Sequence, residues 1–323
     1  MQPLLQGHNA ADIAKGIGIS LVLFALAVMM PLIGFFFSLL MPLPILFYRI
    51  KLGRSGGLLI AGCALTIMAL VAGSMGLDVL FFGELLLLGF CLSELFERRL
   101  TVEKTIGYSC AVVLAAALTA LFFYSLTVPE NLIELVSAYV AHNLELSLKL
   151  YEGMGVSEST LTAISNSLDK LHYVLVRILP SLATVSLIFI AWSNLLLCRP
   201  LLASRCLPGP QFGDLKQWKA PENLIWLLIA CGGCLIAMPS QSIIWLAAIN
   251  GLLILLIIYF FQGIAIVAFF LESKKAPRAV RVLAYSLIGL QQLFLVLVIA
   301  MGIFDLWVDF RKLTRKENRP PEQ

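Results

Sequence analysis

The sequence predicts an all-α protein, a polytopic transmembrane bundle of about eight to nine helical spans with an amphipathic helical hairpin outside the membrane. Hydrophobic residues make up 60% of the chain and charged residues 13%, about half the ~25% of a soluble domain. Residues 243–271 carry no ionisable group except Tyr259, and a span needs about 20 apolar residues. Lipid satisfies no backbone polar group, and the alternation typical of barrel strands is absent, so the spans are helices.

Residues 1–128 are predicted to form the N-terminal transmembrane helices. The apolar block 16–48 contains Pro31, Pro42 and Pro44, and as one helix it is too long for the hydrocarbon core. We expect either two tight spans, or one span and a half-helix that dips into the membrane. After a basic loop at 49–54, the further spans of this region are predicted at 55–74, 78–96 and 106–126.

Residues 129–172 are the most polar part of the chain and predict the amphipathic hairpin. Apolar residues recur there at helical spacing, and Gly153 and Gly155 then interrupt the pattern. Ser157 is the expected N-cap of the second helix, with Glu158 in its first turn. We expect this hairpin to lie outside the membrane, against its surface or over the mouth of the bundle.

Residues 173–323 are predicted to form the C-terminal transmembrane helices with basic loops and a basic tail. The expected spans are 174–197, 222–238, 243–271 and 282–304. If all spans are real, the positive-inside rule places the basic loops 49–54, 98–104, 199–219 and 274–281 on the cytoplasmic side. The tail, which is also basic, then ends outside. Either one span is wrong or the tail is an exception to the rule.

Composition and motifs argue against several classes of function. The net charge of +4 comes from the loop clusters, so the positive-inside bias explains it and no nucleic-acid partner is expected. Walker and H-E-x-x-H motifs are absent, and the three histidines are isolated in the sequence. We therefore expect no metal and no cofactor, and we expect that the protein is not an enzyme.

Five polar side chains within the last two predicted spans are candidates for binding a substrate. Asn250, Tyr259 and Gln262 share one span, and Gln291 and Gln292 lie in the next. Polar residues inside a membrane are costly and are therefore functional candidates. They predict a small polar pocket between two neighbouring helices. The alternative is interhelical hydrogen bonding that only stabilises the bundle, at about 0.6 kcal/mol a pair.

Three carboxylates are candidates for binding an ion or a partner. Asp305 and Asp309 are four residues apart and share a helix face where the last span leaves the membrane. The alternative is that they pair with the nearby Arg311 and Lys312. Glu84 lies some way inside its span, as a proton or ion site does, unless the span tilts and brings it near the surface.

Two further patterns suggest function only weakly. Segments 31–48 and 231–239 are both interrupted by Gly or Pro, as the discontinuous helices of transporters are. Cys231 and Cys234 form a CxxC inside a span, which fits a membrane thiol oxidoreductase or simply the packing of small residues. An outer-loop cysteine pair to accept the electrons is missing from 126–172.

The C-terminal third resembles the YybS family of predicted bacterial membrane proteins. The resemblance covers roughly 215–313, and the N-terminal part shares the apolar outline and a Pro-Leu-Pro turn. The residues that carry it are Trp218-Lys-Ala-Pro-Glu222, Tyr259-Phe-Phe-Gln-Gly263, Pro277-Arg278 with Arg281, Gln291, and Gly302-Ile-Phe-Asp-Leu-Trp-Val-Asp-Phe-Arg311. No activity is implied by this family.

Such proteins are similar in outline to the substrate-binding S components of energy-coupling-factor vitamin transporters. S components dock their coupling subunit through an Ala-x-x-x-Ala face on the first helix. Residues 21–30 have no such pair here, and alanine pairs four apart occur at 111–120 instead.

We therefore expect a multi-pass protein of the bacterial inner membrane that contacts membrane lipid. The first hypothesis is a small-solute binding or transport subunit, which needs protein partners for energy coupling. The second is a scaffold or assembly factor that recruits cytoplasmic partners, and a thiol oxidoreductase is the third.

Overall fold

The computed structural model describes residues 7–30, 33–73, 76–126, 131–207, 209 and 214–311. Within these residues the chain forms α-helices, one 3-10 helix and no strand, which confirms the all-α class. The α-helices are α1 (Gly7–Met29), α2 (Gly34–Leu39), α3 (Pro42–Ala72), α4 (Leu77–Glu97), α5 (Val102–Ser125), α6 (Leu132–Gly153), α7 (Glu158–Ser165), α8 (Leu168–Ser204), α9 (Leu224–Ala237), α10 (Ile243–Ser273), α11 (Arg278–Leu290) and α12 (Gln292–Val308). The 3-10 helix is Leu215–Gln217.

The described helices include enough long apolar segments for a polytopic membrane protein. Six stretches are long and apolar enough to cross a membrane, or seven if the bent pair α11–α12 counts as one span. The shorter helix α9 is also apolar. The transmembrane bundle is thereby confirmed, whereas the number of about eight to nine spans stays a prediction.

The chain divides into two compact units. Unit 1 comprises Met1–Val176 and Ser186–Gln211, and unit 2 comprises Arg177–Val185 and Phe212–Gln323.

In unit 1, α3 is kinked at Gly53. This glycine has φ 84° and ψ 179°, which interrupts the helix. A Cβ atom on Gly57 would lie 2.6 Å from the Cβ of Arg49, although residues eight apart in a straight helix are separated by about 12 Å. The arms on either side of Gly53 therefore pack against each other. The predicted break inside 16–48 is also present, because α1 ends at Met29 and α2 begins at Gly34.

Helices α6 and α7 occupy the segment for which the amphipathic hairpin is predicted, and both the hairpin and its side of the membrane stay predictions. Asn131 begins α6 with a capping box, because its side chain accepts from the backbone of Glu134 while the Glu134 carboxylate accepts from the Asn131 backbone. Gly155, at φ 74°, lies in the turn. Ser157 occupies the N-cap position of α7, but its hydroxyl bonds the side chains of Ser159 and Thr160 and not a helix amide.

In unit 2, α12 packs on α10 through two glycines. A Cβ atom on Gly302 would lie 2.0 Å from the carbonyl oxygen of Tyr259, and one on Gly263 would lie 2.0 Å from that of Val298. Only residues without a side chain allow two helix backbones to approach this closely.

Two features of unit 2 differ from the sequence analysis. Helix α9 continues through Cys231 and Cys234 and ends at Ala237, so segment 231–239 is interrupted before Pro239 and not at the Gly-Gly pair. A further break lies within the predicted span 282–304, where α11 and α12 meet at Gln291 with a bend of 100°.

Candidate functional site

A buried hydrogen-bond network surrounds Gln262 in the middle of α10. The Gln262 Oε1 accepts from the backbone N–H of Ala220 at 3.1 Å, and its Nε2 donates to Asp305 Oδ2 at 3.1 Å. The Asp305 carboxylate also accepts from Arg311 Nη2 at 2.7 Å and from the backbone N–H of Phe310 at 3.0 Å. The Gln262 amide therefore has partners at both its oxygen and its nitrogen.

Arg311 extends this network to the segment that precedes α9. Its Nη1 donates to the carbonyl oxygens of Lys216 at 2.7 Å and Trp218 at 3.0 Å. The side chains of Arg311 and Asp305 are both fully buried. We call Gln262, Asp305 and Arg311, with the backbone that they bind at 216–220, the Arg311 cluster. Because a buried ion pair is tolerated only with further hydrogen bonds, the bonds to Lys216 and Trp218 are part of what stabilises it.

Both aspartates pair with basic residues, but only one of these, Arg311, is a partner that the alternative predicted. Asp305 pairs with Arg311, and Asp309 Oδ1 lies 3.4 Å from Lys219 Nζ. Lys312, the other expected partner, lies outside the described residues. Lys216 pairs with Glu272 near the end of α10. Residues 309–311 therefore lie at the same end of unit 2 as the basic loop that follows α10.

Asn250 and Tyr259 have structural contacts of different kinds. Asn250 Oδ1 accepts from the backbone N–H of Ser181 at 2.9 Å, and its Nδ2 donates to the carbonyl of Arg177 at 3.0 Å. In a regular helix these two groups of α8 bond to each other, so the amide bridges them. Tyr259 is buried in an apolar cluster with Ala220 and Ile225. Asn250 and Gln262 thus make the interhelical hydrogen bonds of the alternative interpretation.

Gln291 and Gln292 lie apart from these residues, at the break between α11 and α12. The backbone carbonyl of Gln291 accepts from the N–H groups of Phe294 and Leu295, which begins α12. Both glutamine side chains are exposed, and neither amide bonds another described residue. Their surroundings leave donors and acceptors available for a ligand.

Glu84 is half-buried within α4. Its carboxylate makes no hydrogen bond or ion pair with the residues that the structure describes. Leu85 and Leu88, which follow it on the same helix, are fully buried. A carboxylate in such an apolar span is a candidate for binding an ion or a proton.

Arg49 is a buried cation that the sequence analysis placed in a basic loop. The Arg49 Nη2 lies 2.5 Å from Glu94 Oε2. The Arg49 Nη1 pairs with Glu97 and also donates to the carbonyl of Ser93 at 3.2 Å. Arg54 is farther from Glu94, at 3.7 Å. The sequence contained one indication of this ion pair. Glu94 and Glu97 lie at the end of a predicted span, on the same side of the membrane as the basic loop 49–54.

The described residues offer little redox or metal chemistry. All seven cysteines are free, and Cys231 packs closely against Gly251 in the contact between α9 and α10. No group of three potential metal ligands occurs among the described residues. A groove on α3 is lined almost entirely by apolar atoms and faces outward between Leu59 and Ile67.

The apolar helices and their buried polar contacts define a multi-span helical membrane protein. The chain belongs to the family described as "Predicted membrane protein (DUF2232)", whose profile matches residues 18–306. It is 22% identical over 293 residues to the protein named "Uncharacterized protein YybS" of Bacillus subtilis (strain 168), covering 88% of this chain and 92% of that protein. The expected resemblance is confirmed and extends well beyond 215–313. No solved structure matches the chain.

Proposed function

We propose that the protein is a multi-pass protein of the bacterial inner membrane that binds a small polar solute and takes part in its transport. The observation that carries the proposal is the 100° bend between α11 and α12, which presents two exposed glutamines within an apolar segment. Transporters commonly form substrate sites where a membrane helix is discontinuous, because the break frees backbone polar groups for a ligand.

The chemistry at the break favours a solute that both donates and accepts hydrogen bonds. Each glutamine amide offers two N–H donors and one acceptor oxygen. The N–H groups of Gln292 and Leu293 precede the first hydrogen bond of α12, and they add donors and a partial positive charge. A neutral or anionic solute with several polar atoms matches this set. A second discontinuity, between α1 and α2, lies in unit 1, and paired interruptions of this kind are typical of transporters.

Native mass spectrometry of the gently solubilised protein tests this proposal. We expect the wild type to retain a small molecule that the Gln291→Leu/Gln292→Leu double variant loses. Gln241→Leu is the matched control, because Gln241 is also exposed but lies in the turn between α9 and α10. Retention of the molecule by the double variant, or absence of any small molecule from the wild type, would contradict the proposal.

A scaffold or assembly factor is the second candidate. It is favoured by two amides whose hydrogen-bonding groups already have partners within the protein. Asn250 and Gln262 are occupied by protein groups, and the groove on α3 is apolar. Such a protein recruits cytoplasmic partners through its basic loops and tail. Proteins that copurify with the full chain and are lost on removal of 312–323, without any bound small molecule, would support it. A thiol oxidoreductase has no supporting observation, since Cys231 is buried against α10.

A further inference from the structure

Helix α11 has a largely uncovered surface. Of its thirteen residues, only Ile288 is buried and Ala284 half-buried. The exposed side chains include large apolar ones, among them Val282, Leu283 and Leu290. Because an exposed apolar surface of this kind is unfavourable in water, something apolar covers it.

Charge is distributed very unevenly along this segment. Residues 274–290 contain four cations and no acid. The cations are Lys274, Lys275, Arg278 and Arg281, all exposed, and all lie at or before the first turn of α11. Lys274, Lys275 and Arg278 make no ion pair with the residues that the structure describes. The nearby carboxylate of Glu272 already pairs with Lys216.

Both ends of the α11–α12 pair lie toward the same end of unit 2. The pair starts after α10 ends at Ser273, and it ends at residues 309–311, which contact the segment bound to Glu272. The two helices measure about 20 Å and 26 Å, both shorter than the ~30 Å hydrocarbon core. A pair of helices that starts and ends on the same side of the membrane enters the membrane and returns without crossing it. The basic start of α11 is then at the headgroups, and its apolar remainder is among the acyl chains.

We propose that Lys274, Lys275, Arg278 and Arg281 bind the headgroup of an anionic phospholipid, whose acyl chains lie along the apolar part of α11. An anionic headgroup supplies the negative charge that the protein itself does not provide here. Long basic side chains at a helix end also reach the interface readily. This site does not depend on the proposed solute site at Gln291 and Gln292.

The full-length protein in nanodiscs of phosphatidylglycerol and phosphatidylcholine tests this proposal. After extraction with mild detergent, the retained lipids are counted by native mass spectrometry. We expect the wild type to retain phosphatidylglycerol in preference, and Lys274→Gln/Lys275→Gln/Arg278→Gln to lower that preference about tenfold or more, because each cation contributes strongly near an anionic surface. High salt should release the lipid from the wild type.

Arg98→Gln/Arg99→Gln/Lys104→Gln is the matched control. These three cations are also exposed, at the end of α4 and in the first turn of α5, but Glu97 and Glu103 lie among them. We expect this control to keep the preference for phosphatidylglycerol. Equal retention by wild type and the α11 variant would overturn the proposal, and so would an equal loss in both variants. Displacement of the lipid by inorganic phosphate at millimolar concentration would also overturn it, since the site would then bind free phosphate.

Discussion

The guanidinium of Arg49 packs against Glu94 and Glu97, and the side chain of Arg49 is only 2% exposed. Its Nε has no hydrogen-bond partner among the described residues, so the two carboxylates and the Ser93 carbonyl provide its stabilisation. A buried cation that loses its partners keeps its desolvation cost, which makes such an arrangement sensitive to substitution.

Removing the carboxylates should therefore destabilise unit 1. We expect Glu94→Gln/Glu97→Gln to lower the free energy of unfolding by about 3–5 kcal/mol, because Arg49 remains buried without a countercharge. Unfolding by SDS, followed by circular dichroism, measures the change. Arg54→Gln is the control, since Arg54 is 69% exposed and lies 3.7 Å from Glu94, and it should change stability by less than about 1 kcal/mol. Unfolding of the double variant at the wild-type SDS fraction would refute the prediction.

Asn250 has an equally specific role, because its amide bonds two backbone groups of α8. Asn250→Leu should leave the N–H of Ser181 without this acceptor and cost about 1–3 kcal/mol. Hydrogen exchange by mass spectrometry should show faster exchange around Ser181 and little change elsewhere in α8. Asn143→Leu is the control, because the Asn143 amide bonds the carbonyl of Tyr139 on its own exposed helix. Unchanged exchange at Ser181 would show that the bridge does not protect it.

At the scale of elements, the crossing of α10 and α12 depends on the absence of a side chain. Gly302→Ala should force the helices apart, since the new Cβ would lie 2.0 Å from the Tyr259 oxygen. The Gln262–Asp305 bond would lengthen with them, and we expect a clearly lower melting temperature. Gly107→Ala in α5 is the control, because open space surrounds Gly107 and alanine favours a helix by about 1 kcal/mol. A Gly302→Ala protein as stable as the wild type would contradict this packing.

The helices and their breaks were predictable from the sequence where a single local property of the chain determines them. Apolar length located the spans, and proline placed a break between α1 and α2. The bend at Gln291 has no proline or glycine at that position, and the Gly232-Gly233 pair lies in a continuous helix. Breaks of this kind depend on which neighbouring helix packs against each arm, and that information is not local.

At the scale of the whole molecule, the Arg311 cluster predicts the side on which the tail emerges. Residues 309–311 lie at the same end of unit 2 as the loop after α10, so the tail should be cytoplasmic if that basic loop is. This favours the first alternative for the topology, in which one predicted single span is wrong.

Labelling of single cysteines with an impermeant maleimide in intact cells measures the side of the tail. In a background without the seven native cysteines, we expect cysteine at 276 or 320 to remain unlabelled and cysteine at 240 to react. Ser240 lies in the turn at the opposite end of α10. Reaction at 320 together with protection at 276 would place the tail outside and refute the prediction.

The candidate site was only partly predictable at this scale. The sequence identified the polar residues of the last spans, because polarity inside lipid is conspicuous. It did not separate Gln262, whose amide is satisfied by Ala220 and Asp305, from Gln291, whose amide is exposed. That distinction depends on residues 42 and 43 positions away in the sequence, and only the folded helices bring them together.

The bridge from Asn250 to α8 has a consequence for synthesis. Ser181 leaves the ribosome 69 residues before Asn250 does. At 5–20 residues per second, that interval is roughly 3–14 s. During it, α8 can close this turn with the ordinary helical bond from the Ser181 N–H to the Arg177 carbonyl. The polar link between α8 and α10 therefore forms only once α10 arrives, as a late step in the assembly of unit 2.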